Sequence, residues 1–162
     1  MLADLLARHN QQRTQAGLDA LKINTKLMQA AQMQAQYMTT HNKTGHQGRN
    51  GTTPAQRVTQ QGYHAVKVGE NVADGRETSE AVVQAWMHSP PHRQNILGSF
   101  TEIGVARATN TQGHPYRCVV FGVSFPDLDA RGVGRWAWSG IIDSSRPILK
   151  MRHIHPKMRK AA

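Results

Sequence analysis

The 162-residue sequence has one cysteine, Cys118, and few aromatic residues, which make up 6% of the chain. A single cysteine excludes an internal disulfide framework. No apolar run approaches the roughly 18 residues that a membrane-spanning helix requires, so no such helix is predicted. Hydrophobic residues still account for 38% of the chain, which is enough for a core and argues against disorder throughout. The length suits one domain with a small additional segment.

Acidic residues are also scarce, since 10 Asp and Glu stand against 20 Lys and Arg and leave a formal net charge of +10. Such an excess is typical of proteins that bind nucleic acid or another acidic surface. Here it is concentrated, because residues 131–162 carry +7 and residues 1–130 only +3. We therefore predict a domain at residues 1–126 and a basic, partly disordered C-terminal extension at 127–162. The extension would bind polyanions weakly and without sequence specificity.

Periodicity and capping signals predict four helices and three extended segments. The fourth helix is expected to stop at Pro90-Pro91, because proline lacks the backbone donor that a helix needs. The last two extended segments surround a turn and are predicted to form a hairpin. These elements indicate an α+β fold with helices on both faces of a small antiparallel sheet. The sequence features that mark these elements are Gly17 after the first helix, helix caps at Asn24, Thr53 and Thr78 or Ser79, and extended patterns at 64–73, 101–108 and 116–124.

Three residues stand in contexts that favour a functional site: His46, Glu70 and His92. Glu70 interrupts a run of valines, and a buried carboxylate needs a partner such as a nearby imidazole. Two imidazoles and one carboxylate also form a plausible ligand set for a divalent metal. Each residue lies more than 20 positions from the next, so spacing alone leaves open whether they converge. Cys118 lies in a predicted strand and is interpreted as a buried hydrophobic residue rather than a nucleophile.

Several stretches, in order along residues 2–125, resemble the CAP superfamily in its short bacterial form. This superfamily comprises cysteine-rich secretory proteins, antigen 5 and pathogenesis-related 1 proteins. The ordered set of motifs is specific, whereas a Gly-Glu-Asn motif alone is weak. The matching stretches are Leu5-Leu6-Ala7-Arg8-His9-Asn10, Thr44-Gly45-His46, Val68-Gly69-Glu70-Asn71-Val72, Trp86-Met87-His88-Ser89-Pro90-Pro91-His92-Arg93-Gln94-Asn95-Ile96-Leu97 and Phe100-Thr101-Glu102-Ile103-Gly104.

The resemblance implies a three-layer α-β-α sandwich whose central cavity is lined by two histidines and two carboxylates. His46, Glu70 and His92 match three of these four positions. The register of the second carboxylate falls on Ser89, so one acid of the family's set is missing. Glu102 could replace it only if the start of its predicted strand reached the cavity.

The resemblance further implies a ligand-binding protein whose cavity contains His46, Glu70, Ser89 and His92. The expected occupant is a divalent metal such as zinc, bound by His46 and His92, or a small polar, lipid or peptide ligand. The alternative is a metal-assisted hydrolase in which Glu70 is the catalytic general base. The missing acid argues against catalysis.

The resemblance also implies secretion or a place in the cell envelope. The N-terminal segment, however, has no cationic region followed by roughly 7–15 apolar residues, so it does not read as a signal peptide. It reads instead as the start of an amphipathic helix.

Overall fold

A computed structural model describes residues 2–125, which form five α-helices, a short 3₁₀ turn and a four-stranded sheet. The predicted basic extension at 127–162 lies outside the described residues. None of the described helices is long and apolar enough to cross a membrane. In chain order the elements are α1 Leu2–Gln15, β1 Lys22–Ile23, α2 Thr25–His41, the 3₁₀ turn Arg49–Gly51, α3 Pro54–Gln60, β2 Ala65–Asp74, α4 Ser79–Met87, α5 Pro90–Ile96, β3 Glu102–Thr109 and β4 Pro115–Ser124.

The sheet has the strand order β1-β3-β4-β2, with β2 at one edge. Strands β3 and β4 form the predicted antiparallel hairpin, and β2 pairs antiparallel with β4. The two-residue strand β1 adds to β3 in parallel. That parallel strand was not predicted, so the sheet is mixed rather than purely antiparallel.

Each face of the sheet is covered by its own hydrophobic core, which confirms the predicted three-layer α-β-α sandwich. Helices α2 and α3 cover one face, where Leu27, Ala31 and Met38 of α2 pack on Cys118 and Val120 of β4. Helices α1, α4 and α5 cover the opposite face. There the buried set is Leu5, Val82, Trp86, Ile96, Val119 and Phe121. Neighbouring residues of β4 thus point into different cores, as the alternation of a strand requires.

The capping signals read from the sequence start the helices where they were expected. The Asn24 side chain accepts hydrogen bonds from Lys26 N and Leu27 N at the start of α2. Thr53 and Gln56 form a reciprocal capping box at the start of α3, and the Thr78 side chain caps α4. Each cap satisfies backbone donors that have no partner within the first turn.

The two prolines have a second role that was not predicted. Helix α4 ends at Met87, as expected, but Pro90 and Pro91 then form the first turn of α5. Proline suits this position because backbone donors of a first helical turn have no helical partner. His92 therefore lies on a helix rather than in a loop.

Candidate functional site

The candidate site lies along edge strand β2, where Glu70 and Asn71 point toward different helical layers. Glu70 lies opposite Val120 of β4, on the face covered by α2 and α3. Asn71 lies opposite Val119, on the face covered by α1, α4 and α5. Consecutive residues of a strand face opposite sides, so this short motif connects both layers at one edge of the sheet.

Glu70 is buried and has a basic partner on each carboxylate oxygen. Its side chain is only 1% exposed. Oε1 accepts a hydrogen bond from His46 Nδ1 at 2.9 Å, and Oε2 accepts one from Arg57 Nη2 at 2.5 Å. The predicted need for an imidazole partner is therefore met by His46. The second partner, Arg57, was not predicted.

Arg57 of α3 connects Glu70 to the loop that carries His46. Its guanidinium is buried, and Nη1 donates to the backbone oxygens of His46 at 2.9 Å and Thr52 at 2.7 Å. The sequence signal that could have pointed to Arg57 is the rule that a buried acid seldom has an imidazole alone as its counter-charge. That rule does not say which basic residue is brought to it by folding.

His46 lies in the loop between α2 and the 3₁₀ turn, with 54% of its side chain exposed. The hydrogen bond from Nδ1 to Glu70 raises the pKa of His46 above its ordinary value, and burial and Arg57 oppose this only in part. Nε2 has no hydrogen-bond partner within residues 2–125. The ring is thus held in one orientation with a nitrogen left open.

His92 approaches the site from α5, in the opposite layer. A 2.8 Å hydrogen bond joins its Nδ1 to Ser89 Oγ, and its backbone oxygen accepts a bond from Asn71 Nδ2 at 3.0 Å. Burial, together with the charge of His46, lowers the pKa of His92. The two imidazoles are therefore close enough to interact electrostatically, but His92 makes no hydrogen bond to Glu70 in the described part of the chain.

Asn95 fixes α5 against β2. Its Nδ2 donates to Glu70 O at 3.1 Å and to Asn71 Oδ1 at 2.8 Å. A Cβ on Gly69 would lie 2.9 Å from Asn95 Oδ1, so only glycine lets the helix come this close. These contacts set the position of His92 relative to the strand.

Glu102 and Cys118 are the two other residues that the sequence raised as candidates. Glu102 accepts hydrogen bonds from Tyr63 Oη at 2.6 Å and Asn24 Nδ2 at 2.8 Å, and within residues 2–125 it bonds neither histidine. It therefore does not replace the missing acid. Cys118 is fully buried, as predicted, and its Sγ lies 3.4 Å from Glu70 Oε2. Burial raises the pKa of this thiol.

The donor set fits a metal only in part. Each histidine has Nδ1 held by a hydrogen bond and Nε2 available, the arrangement usual for metal-binding imidazoles. Both Glu70 oxygens are already bonded, however, and residues 2–125 contain no cluster of three or more His, Cys, Asp or Glu side chains that could hold a metal. Two imidazoles alone would leave most of the coordination shell to solvent or to another ligand.

The ordered sequence motifs, the three-layer α-β-α sandwich and the histidine pair together define a CAP domain. The model of the cysteine-rich secretory protein family, CAP, matches residues 6–122, and the chain belongs to this family.

The chain is similar to bacterial proteins in particular. It is 39% identical to the uncharacterised protein YkwD of Bacillus subtilis over 97 residues, which are 59% of this chain and 38% of YkwD. The match therefore spans about two fifths of that relative. An outer surface protein of Borrelia burgdorferi has a similar structure, with a TM-score of 0.68, 27% identity, and coverage of 75% of this chain and 90% of the other.

An extracellular protein of Bacillus anthracis that contains an SCP domain shares the fold. The TM-score is 0.65 at 22% identity, over 75% of this chain and 39% of that one.

Proposed function

We propose that this CAP domain binds a small ligand between His46 and His92, either a divalent cation such as zinc or a small polar molecule. The observation that supports the proposal is the pairing of two histidines from different layers, each tied through Nδ1 and open at Nε2. Glu70 and Arg57 serve to fix His46, and Ser89 and Asn71 serve to fix His92. Such preorganisation reduces the ordering cost of binding.

The two imidazoles differ in their affinity for a proton. The pKa of His46 is raised by Glu70, whereas the pKa of His92 is lowered by burial and by His46. At any pH, His46 is therefore protonated to a greater extent than His92. A metal requires both rings neutral, so zinc affinity should increase as the pH rises through the pKa of His46.

Binding is better supported than hydrolysis. A general base needs a free carboxylate oxygen within reach of water. Glu70 is 1% exposed and both oxygens are engaged, by His46 and Arg57. To act as a base it would have to lose a partner inside a buried site, which is costly. Its proposed role is to position His46.

We also propose that the protein acts outside the cytoplasm. The support is indirect: the proteins of similar structure include an outer surface protein and an extracellular protein. Fractionation of the source cells, with antibody detection in membrane, wall and medium fractions, tests this proposal. Recovery only in the cytosol contradicts it.

The proposal that the ligand is a metal ion is tested by calorimetric titration of the full chain with zinc chloride. The wild type should show a saturable site that is lost in the double variant His46→Ala, His92→Ala. The matched control is His41→Ala, His64→Ala, which removes two exposed histidines elsewhere and should bind like the wild type. All three chains retain His153 and His155, so zinc bound there cancels in the comparison. Equal zinc affinity in the wild type and the first double variant contradicts a zinc site at the pair.

A further inference from the structure

A cavity lies between α2, the 3₁₀ turn and α3. Its volume is about 410 Å³, which lies in the range of small-molecule sites. Neither His46 nor His92 lines it, although Arg57 does. The cavity is therefore distinct from the proposed site between the histidines.

The floor of the cavity contains buried polar groups that lack partners. Gln34 and Arg57 both line it and are fully buried, yet Gln34 Oε1 and Arg57 Nε have no hydrogen-bond partner within residues 2–125. Buried polar atoms without a partner are uncommon in folded proteins. Both atoms are themselves enclosed by protein, so the polar groups that a ligand could reach directly are those of the exposed lining residues.

Gly48 lets three residues of the cavity lining pack closely against the backbone. A Cβ at this position would lie 2.8 Å from Gln34 Oε1, 2.9 Å from Thr52 Oγ1 and 3.1 Å from Arg57 Nη1. Polar atoms of three lining residues thus occupy the space that the Cβ of any other residue would need.

The walls favour an anionic ligand with a flat or ring-shaped apolar face. No acidic residue occurs among the described residues that line the cavity. The lining does include Arg49 and the amide side chains of Gln36 and Asn50. The rings of Tyr37 and His41, also in the lining, lie 4.1 Å apart and form an aromatic wall.

We propose that this cavity binds a sugar acid, that is, a monosaccharide unit bearing a carboxylate. The exposed guanidinium group of Arg49 would receive the carboxylate, and the lining amides would bond the hydroxyls. The apolar face of the sugar ring would pack on Tyr37. The volume admits one such unit with space to spare.

The test is NMR titration of the ¹⁵N-labelled full chain with sodium glucuronate, with glucose and sodium acetate as separate probes. Glucuronate should give saturable shifts in residues 36–41 and 49–52, and neither glucose nor acetate should match its affinity. Gln36→Glu adds a negative charge to the lining with almost no change of shape. It should weaken glucuronate binding about fivefold.

The matched control is Gln11→Glu, which makes the same charge change on an exposed position of α1, across the sheet. It should leave glucuronate affinity within about twofold of the wild type. Glucuronate shifts that fail to saturate, or that weaken equally in both variants, overturn the site. Acetate binding as tight as glucuronate binding, or glucose binding as tight, overturns the sugar-acid assignment.

Discussion

At the residue scale, the ion-pair network at Glu70 explains what the sequence could and could not predict about the site. A carboxylate among valines predicts burial with a partner, and His46 meets that prediction. Arg57 lies 13 positions before Glu70 on a separate helix. Their contact depends on how α3 packs beside β2, and no local pattern in the chain encodes that packing. The same limit applies to the hydrogen bond between Ser89 and His92.

Replacement of Arg57 by methionine should destabilise the fold strongly. The substitution keeps the apolar stem and leaves Glu70 buried with only a half-exposed imidazole as its counter-charge. The cost of breaking a buried pair in this way is about 3–5 kcal/mol. Urea unfolding of Arg57→Met at pH 7 measures it.

The control for this experiment is Arg93→Met, on the exposed surface of α5, which should change the unfolding free energy by less than about 0.5 kcal/mol. If both variants unfold at the wild-type urea concentration, Arg57 does not hold the buried carboxylate as we argue.

At the scale of elements, helices that begin at a capping residue were predicted from the sequence, whereas elements without such a local signal were not. Asn24, Thr53 and Thr78 begin helices because each offers a side-chain acceptor to backbone donors that lack partners. Helix α5 was not predicted, because paired prolines end one helix as readily as they begin the next. Strand β1 has two residues and becomes a strand only through its pairing with β3, so periodicity could not show it.

The capping box of α3 should contribute measurably to stability, because this helix carries Arg57 into the site. In Thr53→Ala the acceptor for Gln56 N is lost, while the backbone bond from Thr53 N to the Gln56 side chain remains available. The expected loss is about 1 kcal/mol of unfolding free energy, measured by urea denaturation. Thr59→Ala, an exposed change in the same helix, should be nearly neutral. A loss no larger for Thr53→Ala than for Thr59→Ala would show that the box is dispensable.

At the scale of the whole molecule, the fold depends on how closely two helical layers approach one thin sheet. A Cβ on Gly104 of β3 would collide with the backbone of Leu27 and Met28, so glycine there lets α2 lie directly on the sheet. On the opposite face, the C-terminal end of α5 is held by Arg13 of α1. Its Nη1 donates to Ile96 O at 2.9 Å and to Gly98 O at 2.8 Å. The layer that carries His92 is thus fixed from two sides, by Arg13 and by Asn95.

The stability of the whole domain should fall on mild acidification, because His9 is buried as a neutral ring between α1 and the sheet. It is fully buried beside Trp86 and Phe121, donates from Nδ1 to Leu5 O at 2.7 Å, and burial lowers its pKa from 6.5 to about 4. Between these values the unfolded chain binds a proton that the folded chain does not, so stability decreases as the pH falls through this window, by about 3 kcal/mol in all. Urea unfolding at several pH values between 7 and 4 measures the slope. His9→Gln stays neutral and should flatten it relative to the wild type, whereas His64→Ala, at an exposed position, should leave it unchanged. Identical slopes for the wild type and His9→Gln would mean that His9 does not cause the acid sensitivity.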